Sequence, residues 1–353
     1  MYGFSIFMNS DLDEAKRSYI TKMVNSSFKG IFTSMHIPED DIKLYKKRLI
    51  DLGNFAQTHH LKLMVDISGD ALSRSGFSFD NLAELKAIGV TGLRMDYHIS
   101  NEIISKASHT ITISLNASTI TQQDIDELKE NNANFNHLEA WHNYYPRPET
   151  GLSHQDFIEK NNFLKQHGFK VMAFVPGDAD LRHPLYLGLP TLEAHRFLHP
   201  LAALLDMERM AVDHIYVGDG GLQETTALQL TQYINDQTVL LRARSETADF
   251  RHVQGEHENR QDAARDVIRS AYARFKTIPD IQPENTVVRK KGAITIDNCD
   301  YGRYMGEIQV VKTELVADSK VNRVGCIVAE DTDLLDYIGP GQKYRIEKEK
   351  QDD

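Results

Sequence analysis

The sequence has 353 residues, of which 41% are hydrophobic and 26% charged, a composition typical of a globular protein and not of a disordered chain. Acidic residues outnumber basic residues by 51 to 40, and the net charge of −11 argues against the basic surface that nucleic-acid binding needs. There is no run of about 18 apolar residues and no signal-peptide pattern at the amino terminus. We therefore expect a cytoplasmic protein without a membrane span.

Short apolar, strand-like runs recur along the first two thirds of the chain at intervals of roughly 30 residues, as in a chain of βα units. They are Tyr2–Asn9, Gly30–His36, Leu61–Ser68, Gly92–Tyr97, Thr110–Asn116, Asn136–Tyr145, Lys170–Gly177 and His214–Asp219. Segments with apolar residues at three- and four-residue steps separate most of them. The clearest are Asp40–Thr58, Phe79–Ile88 behind a possible Ser78 cap, and Thr121–Asn131, which Thr121 could cap.

Alternating strands and helices predict a parallel sheet with right-handed crossovers. Eight such units close naturally into a (β/α)8 TIM barrel, and the length leaves room for a further small domain. A doubly wound open sheet is the alternative, because periodicity does not show whether a sheet closes.

The pattern changes after about Asn235. A short strand, VLLRARS, precedes a segment that we interpret as a charged helix, residues 258–275, and the rest resembles an all-β domain. Its predicted strands, separated by Gly and Asp turns, are Thr286–Arg289, Ala293–Asp297, Glu307–Val311, Arg323–Val328 and Lys343–Ile346. We expect a catalytic barrel at 1–236 and a small β-barrel domain at 237–353.

Alternate residues of a strand share a face, and one face of six predicted strands is polar. The residues on it are Ser5, Asn9, Ser34, His36, Asp66, Ser68, Arg94, Asp96, Ser114, Asn116, Glu139, Trp141 and Asn143. Several lie near carboxyl ends of strands, where barrel enzymes build their sites. A buried hydrogen-bond network without chemistry is the alternative, since polar groups inside a barrel need partners.

Three carboxylates on this face are candidate catalytic groups. Asp96 follows Arg94 by two residues, and the arginine should favour an ionised carboxylate that acts as nucleophile, base or stabilising charge. Glu139 shares a face with Trp141, and we expect loss of hydration beside the indole to raise its pKa, as a general acid requires. Asp66 is the third candidate. Two carboxylates on either side of a bond are the requirement for glycoside hydrolysis.

Two long loops follow the sixth and seventh strands, residues 142–153 and 176–196, and both are rich in Pro, Gly and Arg. Arg147, Arg182 and His183 could meet an anionic group there, since barrels often bind phosphate with their last βα loops. A surface salt bridge is the alternative for each arginine.

Other chemistries receive less support. Lys62 and Lys170 begin strands, at the wrong end for a Schiff-base aldolase. His36, His98 and His142 are scattered, and with Cys299 and Cys326 lacking a C-x-x-C pattern we expect no metal and no cofactor. The stretch 218–221, Gly-Asp-Gly-Gly, is too short to identify a phosphate loop. A non-catalytic sugar-binding protein stays open, because it would keep the tryptophan and the arginines.

Several motifs resemble one family. GFSIFMNSDLDEAKRSYI, GLRMDY, HNYYPRPETGLS, AFVPGDADLRHPLYLGLPTLEAHR and IYVGD are similar to segments of the MupG-type 6-phospho-N-acetylmuramidases, over nearly the whole chain. The resemblance implies a cyclophilin-like β-barrel at the carboxyl end. It also implies an intracellular enzyme of peptidoglycan recycling that cleaves the β-1,4 bond between N-acetylmuramic acid 6-phosphate and N-acetylglucosamine.

The resemblance implies site residues inside the matched motifs, namely Asp96, Glu139, Arg147 and Arg182. Together with the inner-face pattern we expect Asp96, Glu139 and Asp66 to be catalytic. The expected substrate-binding residues are Asn9, His36, Arg94, Asn116, Trp141, Asn143, Arg147 and Arg182. The expected partner is a phosphorylated amino-sugar disaccharide, with no nucleic acid or membrane, and a homo-oligomer is compatible with the sequence. Another phospho-sugar enzyme, a 6-phospho-glycosidase or an epimerase, is the alternative.

Overall fold

A computed structural model describes residues 1–35, 42–67, 71–95, 99–276 and 279–349. By internal contacts the chain divides into two units, residues 1–227 and 228–353, with the division inside one helix, Glu224–Asp236. The domain boundary that we place at 236/237 stays a prediction. No helix in these ranges is both long and apolar enough to cross a bilayer.

The first unit is a closed ring of eight parallel strands in sequential order, and pairing of the first strand with the eighth completes the ring. The predicted (β/α)8 barrel is thereby confirmed, and the open-sheet alternative is wrong. The strands are β1 Tyr2–Ser5, β2 Gly30–Ser34, β3 Lys62–Ile67, β4 Gly92–Met95, β5 Thr112–Asn116, β6 Leu138–Trp141, β7 Lys170–Val175 and β8 His214–Val217.

Helices follow the strands and cover the ring. They are α1 Glu14–Asn25, α2 Ile42–Thr58, α3 Ala71–Arg74, α4 Leu82–Ala87, α5 Asn101–Ser108, α6 Gln122–Glu130, α7 His154–Gln166, α8 Pro200–Glu208 and α9 Glu224–Asp236. Short 3-10 helices lie at Phe79–Asn81, Phe135–His137 and Glu193–His195. Capping side chains determine where several of these helices begin. Thr121 forms the predicted cap of α6 in a reciprocal capping box with Asp124. Ser78 caps the 3-10 turn that precedes α4.

An apolar cluster fills the inside of the ring. Its buried members, contributed by five strands, are Phe32, Met64, Trp141, Met172, Phe174 and Tyr216. The Tyr216 side chain has room only because Gly3 and Gly30 lack side chains. A Cβ at Gly3 would lie 2.2 Å from the ring, and one at Gly30 would lie 2.1 Å from the hydroxyl oxygen. The barrel interior is therefore a packed core and not a channel.

The second unit is a nearly closed mixed sheet of seven strands, in the order β10-β15-β9-β14-β12-β13-β11. The strands are β9 Thr238–Ser245, β10 Gly255–Glu258, β11 Val267–Arg269, β12 Ala293–Asp297, β13 Ile308–Val311, β14 Val321–Ile327 and β15 Lys343–Lys348. Short 3-10 helices lie at Ala248–His252, Ala273–Phe275, Cys299–Tyr304 and Ala329–Tyr337. An all-β second unit is as predicted, whereas its likeness to cyclophilin stays a prediction.

Two predictions for the second unit are wrong. Residues 258–275 do not form a charged helix, because β11 inside this segment pairs antiparallel with β13 and buries Ile268 completely. Tertiary pairing outweighs the local helical pattern here. Thr286–Arg289 does not form a strand either, since it makes a single bridge, from Arg289 to Leu315.

Candidate functional site

Polar side chains meet where strands β2, β3 and β4 approach their carboxyl ends. Arg94 on β4 donates from Nη1 to Asp66 Oδ1 on β3 at 2.6 Å, and Ser34 on β2 donates to Asp66 Oδ2 at 3.1 Å. The other terminal nitrogen of Arg94 donates to the Asn143 side-chain oxygen, just beyond β6. The pair is well shielded, with 3% of the Arg94 side chain and 13% of that of Asp66 exposed. Arg94, Asp66 and Asn143 were all predicted for the site, and the structure brings them together.

A second cation, Arg182, lies in the loop after β7. Its Nη1 donates to the hydroxyl of Tyr144 at 2.7 Å, and its guanidinium lies 5.0 Å from the centre of the Phe7 ring. Within the ranges that the structure describes, Arg182 has no carboxylate partner. Burial raises the pKa of Tyr144, although the nearby Arg182 charge works in the opposite direction, so the phenol keeps its proton at neutral pH. Because its oxygen accepts from Arg182, that proton is available to a ligand.

The long loops after β6 and β7 are fastened to each other by Arg196, whose side chain is 1% exposed. Arg196 forms a two-point ion pair with Glu193, at 2.6 Å for each contact, and also donates to the carbonyl oxygens of Arg147 and Gly188. Glu193 in turn accepts from the backbone N–H of Gly151 at 2.8 Å. These contacts hold the Glu193 pKa down at about 2, with the Arg196 hydrogen bond as the main cause.

Asp219, directly beyond β8, holds the ends of the β7 loop. Its Oδ2 accepts from the backbone N–H groups of Gly177 at 2.8 Å and Leu189 at 2.9 Å, and the Arg182 backbone also bonds to this carboxyl group. Burial raises the pKa of Asp219 in spite of these donors. The Gly-Asp-Gly-Gly segment thus positions the loop that carries Arg182.

Trp141, which we expected to bind substrate, lies inside the barrel. Only 1% of its surface is exposed, and it packs in the apolar cluster beside Phe32 and Tyr216. Its indole N–H donates to Glu139 Oε2 at 2.8 Å. Trp141 fills the barrel and has no open face for a ring.

Glu139 lies near the amino ends of the strands, away from Asp66. It is the second residue of β6 and pairs with Lys170, the first residue of β7, while its Oε1 lies 3.6 Å from Nε2 of His214, the first residue of β8. Burial would raise its pKa, but the nearby His214 imidazole and the hydrogen bond from Trp141 outweigh burial and lower it. The raised pKa that we predicted for Glu139 is therefore wrong, and a catalytic role for this residue stays a prediction.

The other predicted residues have varied surroundings. Asn9 is exposed and accepts from Lys16 Nζ at 3.2 Å. Asn116 is buried, and its side chain accepts from the Ser118 N–H at 3.1 Å in the turn after β5. Arg147 is exposed, without an ion pair to any described residue. His36 and Asp96 lie outside the described residues, and their roles stay predictions.

Sequence reasoning missed four residues that build this site, namely Tyr144, Glu193, Arg196 and Asp219. Each lies in a segment that we singled out. Tyr144 and Asp219 have partners that are distant in sequence. Glu193 and Arg196 are only three residues apart, a spacing that often gives an ion pair and was the one local signal.

The sequence profile of the N-terminal part of the 6-phospho-N-acetylmuramidases matches residues 2–232, and that of the C-terminal part matches residues 238–347. The chain belongs to this family. No protein with a curated function matches the chain in sequence.

Solved structures of similar proteins exist. One is a conserved protein of unknown function from Enterococcus faecalis, 48% identical, with a TM-score of 0.92 over 99% of this chain and 96% of that one. Another is an uncharacterized B. cereus protein, 24% identical, with a TM-score of 0.76 over 98% of this chain and 99% of that one. The second likeness concerns the fold alone.

Proposed function

We propose that the protein hydrolyses the β-1,4 bond that joins N-acetylmuramic acid 6-phosphate to N-acetylglucosamine, in peptidoglycan recycling in the cytoplasm. Water supplies the hydroxyl group on C1 of the phosphorylated sugar, and its other proton goes to the O4 oxygen of the departing N-acetylglucosamine. Membership of the 6-phospho-N-acetylmuramidase family, with both parts matched, carries this proposal.

The arrangement around Arg182 supports a phosphorylated substrate. Arg94 is ion-paired with Asp66 and Arg196 with Glu193, so their charges are compensated by the protein. Arg182 contacts a phenol and aromatic rings instead, which leaves its positive charge for a ligand. A phosphate group could accept from this guanidinium and from the Tyr144 hydroxyl.

We propose Asp96 as the carboxylate next to the scissile bond, because it directly follows β4, on which Arg94 lies. Asp66 has both oxygens occupied, by Arg94 and Ser34, and suits a fixed negative charge that orients Arg94 and Asn143. Glu139 is not part of this proposal. Some glycosidases use the N-acetyl group of the substrate as the internal nucleophile, and this chemistry would need only one protein carboxylate as acid and base.

The experiment is to incubate the purified protein with the phosphorylated disaccharide and, separately, with its unphosphorylated form, and to follow release of N-acetylglucosamine. Release from the phosphorylated form, with at least a hundredfold loss of rate in Asp96→Asn, is expected on the usual scale for acid–base groups. Binding without turnover would favour a sugar-binding protein. Turnover only of other phospho-sugars in a substrate panel would favour a different phospho-glycosidase or an epimerase.

A further inference from the structure

Three metal-ligating side chains meet where α7, α8 and the 3-10 helix Glu193–His195 come together. His154 is the first residue of α7, His195 ends the 3-10 helix Glu193–His195, and Asp206 lies on α8. Nε2 of His154 lies 2.8 Å from Asp206 Oδ2, and Nε2 of His195 lies 2.9 Å from the same oxygen. All three ligand atoms lie within 4.8 Å of one another.

The cluster is partly enclosed but has an entrance. The His195 side chain is 1% exposed and that of Asp206 16%, whereas that of His154 is 45% exposed. The carboxylate oxygen can only accept, so each Nε2 must carry a proton and donate it to Asp206. One carboxylate oxygen of Asp206 therefore faces two imidazole nitrogens.

We propose that His154, His195 and Asp206 bind a divalent transition-metal ion of the zinc type. Two imidazole nitrogens and one carboxylate oxygen form a donor set that zinc accepts, with a fourth position left for water. Tetrahedral bonds of about 2.0–2.1 Å place ligand atoms about 3.4 Å apart, so the two contacts to Asp206 must lengthen by about 0.5 Å. The half-exposed His154 can lengthen its own contact by a small movement. The His195 side chain is almost completely buried, so the Asp206 carboxylate must rotate to lengthen the other contact.

The structure also indicates how tightly the ion would bind. Metal on Nε2 of His195 moves the remaining ring proton to Nδ1, which is buried and has no hydrogen-bond partner among the described residues. Metal-bound histidines usually donate this proton to an acceptor, and loss of such an acceptor weakens metal affinity by about 10- to 100-fold. We therefore expect micromolar rather than nanomolar binding.

A bound ion would connect the start of α7, the 3-10 helix and α8. The 3-10 helix also contains Glu193, and Arg196, the ion-pair partner of Glu193, follows it directly. The metal would thus reinforce the segment that fastens the two site loops. This inference does not depend on which reaction the protein catalyses.

The test uses the full chain without a histidine tag, in chelator-free buffer. Binding of ZnCl2 is measured by titration calorimetry, and binding of CoCl2 is measured by visible absorption spectroscopy. Wild type should bind one ion, with the intense absorption of four-coordinate cobalt. His154→Ala should bind at least about 30-fold more weakly, because it removes one of three protein ligands. His109→Ala is the matched control, an exposed histidine outside the cluster, and should bind like wild type.

Absence of binding by wild type at about 1 mM metal would overturn the proposal. So would equal affinity in wild type and His154→Ala, or equal weakening in His109→Ala. If His154→Ala fails to fold, as judged by thermal unfolding, Asp206→Asn replaces it, since this change keeps the shape of the side chain and removes the charge. Asp206→Asn must weaken zinc binding by at least tenfold for the proposal to hold.

Discussion

Arg182→Met tests the proposed phosphate contact most directly. Methionine can maintain apolar packing against Phe7 and Tyr144, and only the guanidinium is lost. A hydrogen bond to a charged group contributes about 1.5–3 kcal/mol, which corresponds to about 10- to 150-fold in kcat/KM. Because the described part of the chain supplies no carboxylate to Arg182, the change leaves no unpaired acidic group behind, and we expect the full effect to appear in substrate binding.

The assay is kcat/KM for the phosphorylated disaccharide, together with inhibition by N-acetylmuramic acid 6-phosphate and by the sugar without phosphate. Arg182→Met should raise the inhibition constant of the phosphorylated sugar by the same 10- to 150-fold and leave that of the plain sugar unchanged. Arg147→Met is the comparison in the neighbouring loop, at the other loop arginine that we predicted to bind substrate. Its exposed guanidinium is worth at most about 1 kcal/mol, or about fivefold.

The reasoning would be refuted if Arg182→Met weakened both sugars equally, because the arginine would then shape the site without contacting phosphate. It would also fail if Arg147→Met had the larger effect. Unfolding temperatures of both variants must stay near that of wild type for the comparison to count.

Three further outcomes are expected. Glu139→Gln should change kcat/KM by less than about threefold but lower the free energy of unfolding by about 1–2 kcal/mol in urea titrations, because it loses its charge beside His214. A hundredfold loss of activity would instead indicate that Glu139 takes part in catalysis. Arg196→Met should lower the free energy of unfolding by about 2–3 kcal/mol and also lower kcat/KM, since Glu193 loses its partner and the site loops separate. Unchanged activity would mean that catalysis does not need the ion pair of Arg196 with Glu193 to hold the site loops together. Burial, with Glu307 adding to it, raises the pKa of Asp297 to about 7, so the folded carboxyl keeps its proton at pH values where the unfolded chain has lost it. Stability from this group is present at low pH and is lost as pH rises towards 7. Between pH 5 and 8 the loss is about 3 kcal/mol, at ~1.4 kcal/mol per pKa unit, and Asp297→Asn should abolish it in unfolding measured at both pH values. A wild-type pH dependence that the variant retains would contradict this assignment.

The barrel could be predicted because its signal is local. Each strand is a short apolar run with a helix-period segment after it, and every one of the eight predicted runs contains an observed strand. The predicted ends of the strands were less accurate. The predicted strand Tyr2–Asn9 ends at Ser5, and within Asn136–Tyr145 the strand covers only Leu138–Trp141. The residues beyond these strands form site loops, whose apolar side chains extend the strand pattern. Backbone hydrogen bonds from Ile6 to Phe32 and from His142 to Met172 join these loops to the neighbouring strands.

The roles of Glu139 and Trp141 could not be predicted, because alternation along a strand gives the face of a residue but not its depth in the barrel. Both residues do lie on the inner side, as their parity indicated. Depth depends on the stagger between neighbouring strands, which is set by pairings such as that of Glu139 with Lys170. Two carboxylates on one face can therefore lie at opposite ends of the barrel, as Glu139 and Asp66 do.

The proposed anion site rests on the way in which the barrel compensates its charges. The apolar cluster includes Met64, two residues before Asp66 on β3, so among the described residues the polar group of Asp66 and Arg94 lies on the carboxyl-terminal side of the packed core. Arg94 is neutralised there by Asp66, and Arg196 is neutralised in the loops by Glu193. A chain of net charge −11 repels an anion at long range. Attraction of an anion must then come from a nearby cation whose charge the protein does not neutralise. Among the arginines of β4 and the two site loops, Arg182 combines partial burial with an uncharged partner, the Tyr144 hydroxyl.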